Sequence, residues 1–272
     1  MEFKLPIREQ NSNKGTFGKV LNVSGSKNYI GAAYLSSLAV LKIGAGYVSL
    51  ASDKNIINSV SKLLPEAVFV SRSSALKNLE KYDVLLIGCG LGQTIISKFW
   101  FKRFIRKLCN SGMPVVIDAD GLNILSGLNL PMPSNCIITP HPAEAARLLG
   151  INVTDILGDI ENSAKKLSEK YSCVTVLKTH RTVVCSKDGE IYINEHGNSA
   201  LAKAGTGDIL AGIIAGLSAQ KMLPFEAAKL GVYLHSRAGE IASEDLTEYS
   251  VLASDLIKYL PTAIKEIINQ QP

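Results

Sequence analysis

Residues 197–212 read Gly197-Asn198-Ser199-Ala200-Leu201-Ala202-Lys203-Ala204-Gly205-Thr206-Gly207-Asp208-Ile209-Leu210-Ala211-Gly212, a loop of small residues that runs into an apolar helix and presents one carboxylate at the junction. Gly205 and Gly207 flank Thr206, so backbone N–H groups there can turn toward a ligand without Cβ hindrance, and the following helix directs the positive end of its dipole at the same spot. The pattern predicts an anion hole. Asp208 falls in the first helical turn, where a carboxylate is electrostatically comfortable. Beside a bound phosphate it could take the proton of a substrate hydroxyl; as a purely structural residue it would cap the helix. The stretch alone leaves both roles open.

Outward from this loop the chain repeats one pattern. Residues 20–23, 47–51, 67–70, 84–87, 114–117, 136–139 and 174–178 are short apolar runs, each closed by a turn and mostly separated by helical segments such as 31–43, 99–108 and 160–171. Uninterrupted apolar strands between helices predict an α/β fold with a mostly parallel sheet covered on both faces. Residues 183–186 and 191–193 flank Lys187-Asp188-Gly189-Glu190, a hairpin signal, so antiparallel strands are expected near one edge. Helices over 224–244, 252–259 and 262–268 close the chain. With 272 residues, 46% of them hydrophobic, and no repeat or linker, a single domain over 1–272 is expected.

Composition excludes several classes. The formal charge of +5 is spread out, with no run of lysine or arginine longer than two, so no nucleic-acid surface is indicated. No stretch reaches the roughly 18 apolar residues of a membrane span, and the amino end lacks a signal-peptide core, so a cytoplasmic protein with no membrane partner is expected. Cys89, Cys109, Cys136, Cys173 and Cys185 are odd in number and lack C-x-x-C spacing, and read as buried thiols.

Four further segments fall at strand ends, the edge where ligands bind in open α/β sheets. Gly88-Cys89-Gly90-Leu91-Gly92 is either a plain tight turn or a phosphate or ribose contact. In Asp118-Ala119-Asp120-Gly121-Leu122-Asn123 the two acids would share a face of an extended strand end and could orient Mg2+-bound water or a ligand hydroxyl, or simply cap the next element. In Pro140-His141-Pro142-Ala143-Glu144 two prolines stiffen the backbone around His141 ahead of a helix carrying Glu144 and Arg147, which favours a ligand contact over a structural hydrogen bond. Lys178-Thr179-His180-Arg181-Thr182 ends the last parallel strand. Two decoys fail on spacing: Gly15-Thr16-Phe17-Gly18-Lys19-Val20 lacks the glycine and hydroxyl residue of a Walker A loop, and residues 88–92 have G-x-G-x-G where a Rossmann dehydrogenase needs G-x-G-x-x-G.

Taken with Ser24-Gly25-Ser26 and Gly31-Ala32-Ala33, these motifs resemble, in order and near spacing over almost the whole chain, the NAD(P)H-hydrate dehydratase family of ribokinase-like fold. The resemblance implies a lyase that restores the S epimer of hydrated NADH or NADPH to the intact cofactor, driven by ADP or ATP with Mg2+. It implies hydrate contacts from Gly31, Ala32, Ala33, Gly90, Leu91, Gly92, His141 and Asp208, and nucleotide contacts from Lys178, Thr179, His180, Arg181, Thr182, Thr206 and Gly207. Asp208 with Gly205 and Gly207 would carry catalysis, no residue would ligate the metal directly, and Asp118, Asp120, Asn123, Glu144 and Asn198 are candidates for further contact. It also implies a homo-oligomer, often a tetramer, and an epimerase for the same substrate on a separate protein. The departures are Ala143 for a usual glycine, Thr179-His180-Arg181 for small residues, and Ser199-Ala200-Leu201 for Pro-Gly-Met. A vitamin-precursor or sugar kinase of the same superfamily and a non-catalytic nucleotide sensor are the alternatives.

Overall fold

Apolar strands without alternation must be covered on both faces, and the computed structural model, which describes residues 3–270, covers them with helices. The chain opens with β1 (Lys19–Val23), α1 (Ile30–Lys42), β2 (Tyr47–Ala51), α2 (Lys54–Val60), β3 (Val68–Val70) and α3 (Arg72–Lys77). It returns through β4 (Val84–Ile87), α4 (Ile95–Leu108), β5 (Val115–Ile117), α5 (Asp120–Ser126), β6 (Cys136–Ile138), α6 (Pro142–Leu149), α7 (Val153–Gly158), α8 (Ile160–Tyr171) and β7 (Val174–Leu177). The hairpin β8 (Val183–Cys185) and β9 (Ile191–Ile193) precedes α9 (Thr206–Ala219), α10 (Pro224–Ser250) and α11 (Ala253–Gln270).

The sheet order is β3-β2-β1-β4-β5-β6-β7-β8-β9, parallel except for the pairs β7–β8 and β8–β9. Because the chain moves outward from β1 to β3 and then crosses back to β4 on β1's other side, the connections leaving β1 and β4 diverge and open a crevice at the carboxyl edge. Val23 pairs with Ile87, so the turns after these two strands are level. They are also joined: Gly25 N donates to Cys89 O at 2.9 Å and Gly88 N to Val23 O at 3.2 Å.

One side of the sheet is packed by α4, α5, α6 and α8 around Phe101, Phe104 and Ile105, the other by α1 and α9 around Val40, Leu210 and Ile214. α9 is apolar on almost every side and is correspondingly buried, with α10 and α11 forming an outer layer over it. The small residues of α1 serve α9 as much as the sheet. A Cβ on Gly212 would stand 2.4 Å from Ser36 O, and one on Gly216 would stand 2.9 Å from Val40 O. Inside β1, buried Asn22 donates to Ser36 Oγ and Ser37 Oγ at 2.8 and 2.9 Å, which fixes α1 to the strand beneath it.

Most expected elements appear within a residue or two, and three differ. α4 starts at Ile95, earlier than expected, because Thr94 Oγ1 caps it by accepting from Ser97 N at 3.1 Å. α10 runs on to Ser250 through a break at Thr247 (φ 66°), past the expected end at 244. The two expected final helices are one, α11, which continues through Pro261 because Leu256, Leu260, Ala263 and Ile267 bury one apolar face on both sides of the proline.

The α1–α9 contact leaves no room for a side chain at 212. Gly212→Val is expected to destabilise the fold by roughly 1–3 kcal/mol or more, seen as a lowered Tm in thermal denaturation.

Candidate active site

At the head of α9, Gly205 occupies the N-cap with φ 93°, a left-handed conformation glycine adopts without penalty. Thr206 Oγ1 donates back to Leu201 O and Lys203 O at 2.8 and 2.9 Å. Thr206 O accepts from His235 Nε2 at 2.9 Å, so that nitrogen carries the proton. Burial pushes the His235 pKa down to about 4, and the ring stays neutral. The loop upstream is strapped to α10: Gly197 N donates to Glu240 Oε1 at 2.6 Å, Asn198 Nδ2 to Ser243 Oγ at 2.7 Å, and Lys203 Nζ to Tyr249 O. Among the described residues no side-chain hydrogen bond caps α9, and Asp208 stands in its first turn without capping it.

One oxygen from each of Asp208 and Asp118 and the Cys89 thiol lie within 4.8 Å of one another. Asp118, 2% exposed, accepts from Thr139 Oγ1 and Lys178 Nζ, both at 2.7 Å on Oδ1. Lys178 Nζ also stands 4.0 Å from Glu144 Oε2. Burial raises the Asp208 pKa to about 7, helped by the neighbouring Asp118 charge and opposed by Cys89 and Lys178. Glu144 is raised to about 7 by burial, against the pull of Lys178. Burial works against the Lys178 ammonium, but Asp118 and Glu144 outweigh it and its pKa lies above the ordinary value. Burial first, then Asp208 and Asp118, holds Cys89 well above the usual thiol range.

A cavity of about 730 Å³ lies beside this cluster. Lys178, Thr179, His180, Arg181 and Thr182 line it together with Thr206 and Gly207, so the segment expected for the nucleotide and the head of α9 share one wall region. Asn198 and His141 line it too, and Leu201, Leu210 and Val232 supply apolar surface. Across the sheet edge, Gly31 and Ala32 open α1 at the β1–β4 crevice. A Cβ on Gly90 would meet Tyr29 Cβ at 2.6 Å and Ala32 Cβ at 2.8 Å, which shows how closely the two glycine segments pack.

Several expected residues sit differently from the sequence reading. Ala33 and Leu91 are buried in the core, 0% and 1% exposed, which leaves only their backbone to meet a ligand. Asp118 and Asp120 do not share a face, because the strand ends at Ile117 and Ala119 turns with φ 49° and ψ −119°. Asp118 then faces Lys178, whereas Asp120 accepts from Gly92 N at 2.8 Å. Asn123 accepts from Arg147 Nε at 3.0 Å. His141 does have a structural duty: it is the N-cap of α6, its Nδ1 accepting from Ala143 N and Glu144 N at 3.1 and 3.4 Å, while Glu144 Oε2 accepts from His141 N at 2.9 Å. This is a capping box with histidine in the serine position, and the x-x-Glu spacing was its signal. Nε2 stands 3.5 Å from Glu144 Oε1, and burial, Lys178 and Arg147 push the imidazole pKa down. Thr139 and His235 were missed, though a threonine ending an apolar strand is a recognisable signal.

Gly207 faces Lys178 Nζ, which a Cβ there would approach only to 3.5 Å. With the nucleotide held on this wall, as the resemblance implies, Gly207→Val is therefore expected to fold normally and to weaken ADP or ATP binding about tenfold or more in calorimetry, the size of one lost charge-assisted hydrogen bond. His141→Ala should lose about 1 kcal/mol of stability with the cap, and His141→Asn should regain it in thermal melting because asparagine caps well.

The chain matches the NAD(P)H-hydrate dehydratase family over residues 20–262. An ADP-dependent (S)-NAD(P)H-hydrate dehydratase of Neisseria meningitidis is 38% identical over 243 residues, 87% of this chain and 81% of that one. A bifunctional NAD(P)H-hydrate repair enzyme of Moorella thermoacetica is 37% identical over 97% of this chain, which spans 52% of that relative, about half its length. The crystal structure of the Bacillus subtilis ADP/ATP-dependent NAD(P)H-hydrate dehydratase, co-crystallised with ATP and Mg2+, superposes with a TM-score of 0.88 at 33% identity, covering 97% of this chain and 94% of that one. The architecture is thus ribokinase-like. Motif order, sheet topology and relatives agree, and the chain belongs to the NAD(P)H-hydrate dehydratase family.

Proposed function

We propose that the protein dehydrates the S epimer of hydrated NADH or NADPH at the expense of ADP or ATP, as the names of its relatives describe for them. The observation that carries this is Asp208: an uncapped carboxylate in the first turn of α9, with a pKa of about 7, standing between the β1–β4 crevice and the nucleotide-sized cavity.

Hydroxide is a poor leaving group, and phosphorylation of the C6 hydroxyl replaces it with phosphate. Asp208 takes the hydroxyl proton as the hydroxyl oxygen bonds to the terminal phosphorus and the bond to the nucleotide's bridging oxygen breaks. The Gly205–Gly207 amides and the α9 dipole stabilise the charge on the phosphoryl oxygens, with Lys178 beside them. Phosphate then leaves C6, pushed by the ring nitrogen lone pair, and C5 loses a proton as the double bond returns.

Mg2+ would neutralise phosphate charge on the nucleotide. The donors around Asp208 suit an ion held through phosphates and water: Asp118 Oδ1 is taken by Lys178 and Thr139, Glu144 by His141, and the third member of the acidic cluster is a buried thiol. No direct protein ligand is assigned. The same proposal holds that residues 1–272 form one dehydratase domain, working in the cytoplasm as a homo-oligomer beside a separate epimerase. Among the described residues no helix is long and apolar enough to cross a membrane.

The test is recovery of reduced-nicotinamide absorbance on mixing protein, hydrated cofactor, Mg2+ and ADP or ATP; release of a stable phosphorylated product instead would make the protein a kinase. Asp208→Asn is expected to keep nucleotide affinity and to lose roughly 10²–10⁴-fold in kcat. Because the base must be ionised, kcat/KM should fall about tenfold per pH unit below the Asp208 pKa of about 7, and the residual activity of Asp208→Asn should lack that limb.

A further inference from the structure

The turn between β5 and α5 carries an acid that the reaction does not use. Asp120 opens α5, and its Oδ2 accepts from Gly92 N at 2.8 Å while Oδ1 accepts from Gln93 Nε2 at 3.1 Å. The segment it reaches is otherwise held at Leu91, whose side chain is buried in the core and whose carbonyl accepts from Ser97 Oγ at 2.9 Å. Gly90 and Gly92 have φ of 57° and 77°, and residues 90–92 belong to neither β4 nor α4. Leu91 N donates back to Gly88 O at 3.0 Å, and Gly92 N is taken by Asp120. Among the described residues, Gly90 N–H has no partner, although it lies at the β1–β4 crevice against Tyr29 and Ala32.

Ala119 makes the arrangement possible. Its φ of 49° and ψ of −119° are rarely adopted by a residue with a side chain, and this conformation sends Asp118 to Lys178 and Asp120 to the glycine turn.

We propose that Asp120 is a positioning residue for the hydrated cofactor: it anchors the 90–92 turn so that the amide of Gly90 is presented to the substrate, which Asp120 itself does not touch. This rests on reading the crevice as the hydrate site, as under Proposed function. What the anchor needs is an acceptor in the right place, not a charge. Asparagine at 120 keeps Oδ1 for Gly92 N, and the Gln93 amide can turn to offer its oxygen to the new NH₂ group.

The experiment compares Asp120→Ala and Asp120→Asn in the full chain, measuring KM for hydrated NADH and for ADP or ATP, kcat, Tm, and hydrogen exchange of the peptide holding Gly90–Gly92 without ligand. Asp120→Ala is expected to raise the hydrate KM roughly ten- to hundredfold, to leave kcat and nucleotide KM within about threefold, and to speed exchange of the turn. Asp120→Asn is expected to stay within about threefold of wild type in every readout. An asparagine variant as impaired as alanine, with its Tm unchanged, overturns the proposal, since charge would then be acting on the ligand. So does a hydrate KM unchanged in Asp120→Ala, or a nucleotide KM that rises with it. If Asp120→Ala does not fold, Asp120→Asn and Gln93→Ala decide, the latter expected to loosen the turn with unchanged Tm; an unaltered exchange rate there with an impaired asparagine variant counts against the anchor. Wild-type protein inactive on hydrated cofactor would sink the functional reading, and exchange in the two variants would still show whether Asp120 anchors the turn.

Discussion

α9 is buried on nearly every side, and this constrains the whole carboxyl edge of the sheet. A helix that must lie in the core, against α1 and the strands, cannot tilt or slide without opening a void or a clash, and Gly212 and Gly216 set its distance from α1 at backbone contact. Its amino end is therefore held where β1, β4, β5 and β7 end. Among the described residues the N–H groups of Gly207 and Asp208 have no backbone acceptor there, while Thr206 N donates to Lys203 O at 3.4 Å. That one packing decision places Asp208 beside Asp118 and Cys89, and Gly207 beside Lys178.

The charges around it obey the logic of buried ions. Asp118 is withdrawn from water, while Lys178 is partly buried, its side chain 21% exposed at the cavity; removing Lys178 would leave the Asp118 charge buried and without its cation, a destabilising change. Thr139 completes the set by donating to the same oxygen that Lys178 holds. The pair keeps a cation at the mouth of the cavity and a negative neighbour next to Asp208. In the proposed reaction those are the two conditions a phosphoryl site and its base require, and a single contact of 2.7 Å supplies both.

The strands were legible because each is a short apolar run between turn residues, and the boundaries of α8 were read correctly because its face is amphipathic. Pro261 misled because a local rule about proline was overridden by burial of the residues on either side of it. In the site, the placement of Gly205, Gly207 and Asp208 at the head of α9 could be read because it depends on their immediate neighbours. The contacts of Thr139 and His235 span 21 and 29 positions; a threonine ending an apolar strand is visible in the sequence, but no local pattern announces its partner or that of His235. The divergence of Asp118 and Asp120 was hidden for another reason: nothing about an alanine at 119 signals a φ of 49°.

The raised carboxyl groups have a consequence for the molecule as a proton-binding body. Asp208 and Glu144 hold their protons up to about pH 7 in the native chain, while the same groups in an unfolded chain release theirs near pH 4. Between those values the native state binds more protons, so these two groups make the fold progressively less stable as the solution becomes less acidic, the reverse of the usual carboxylate in an ion pair. In the reaction proposed for Asp208, conformational stability and the availability of its ionised form thus draw the site in opposite directions along the pH axis.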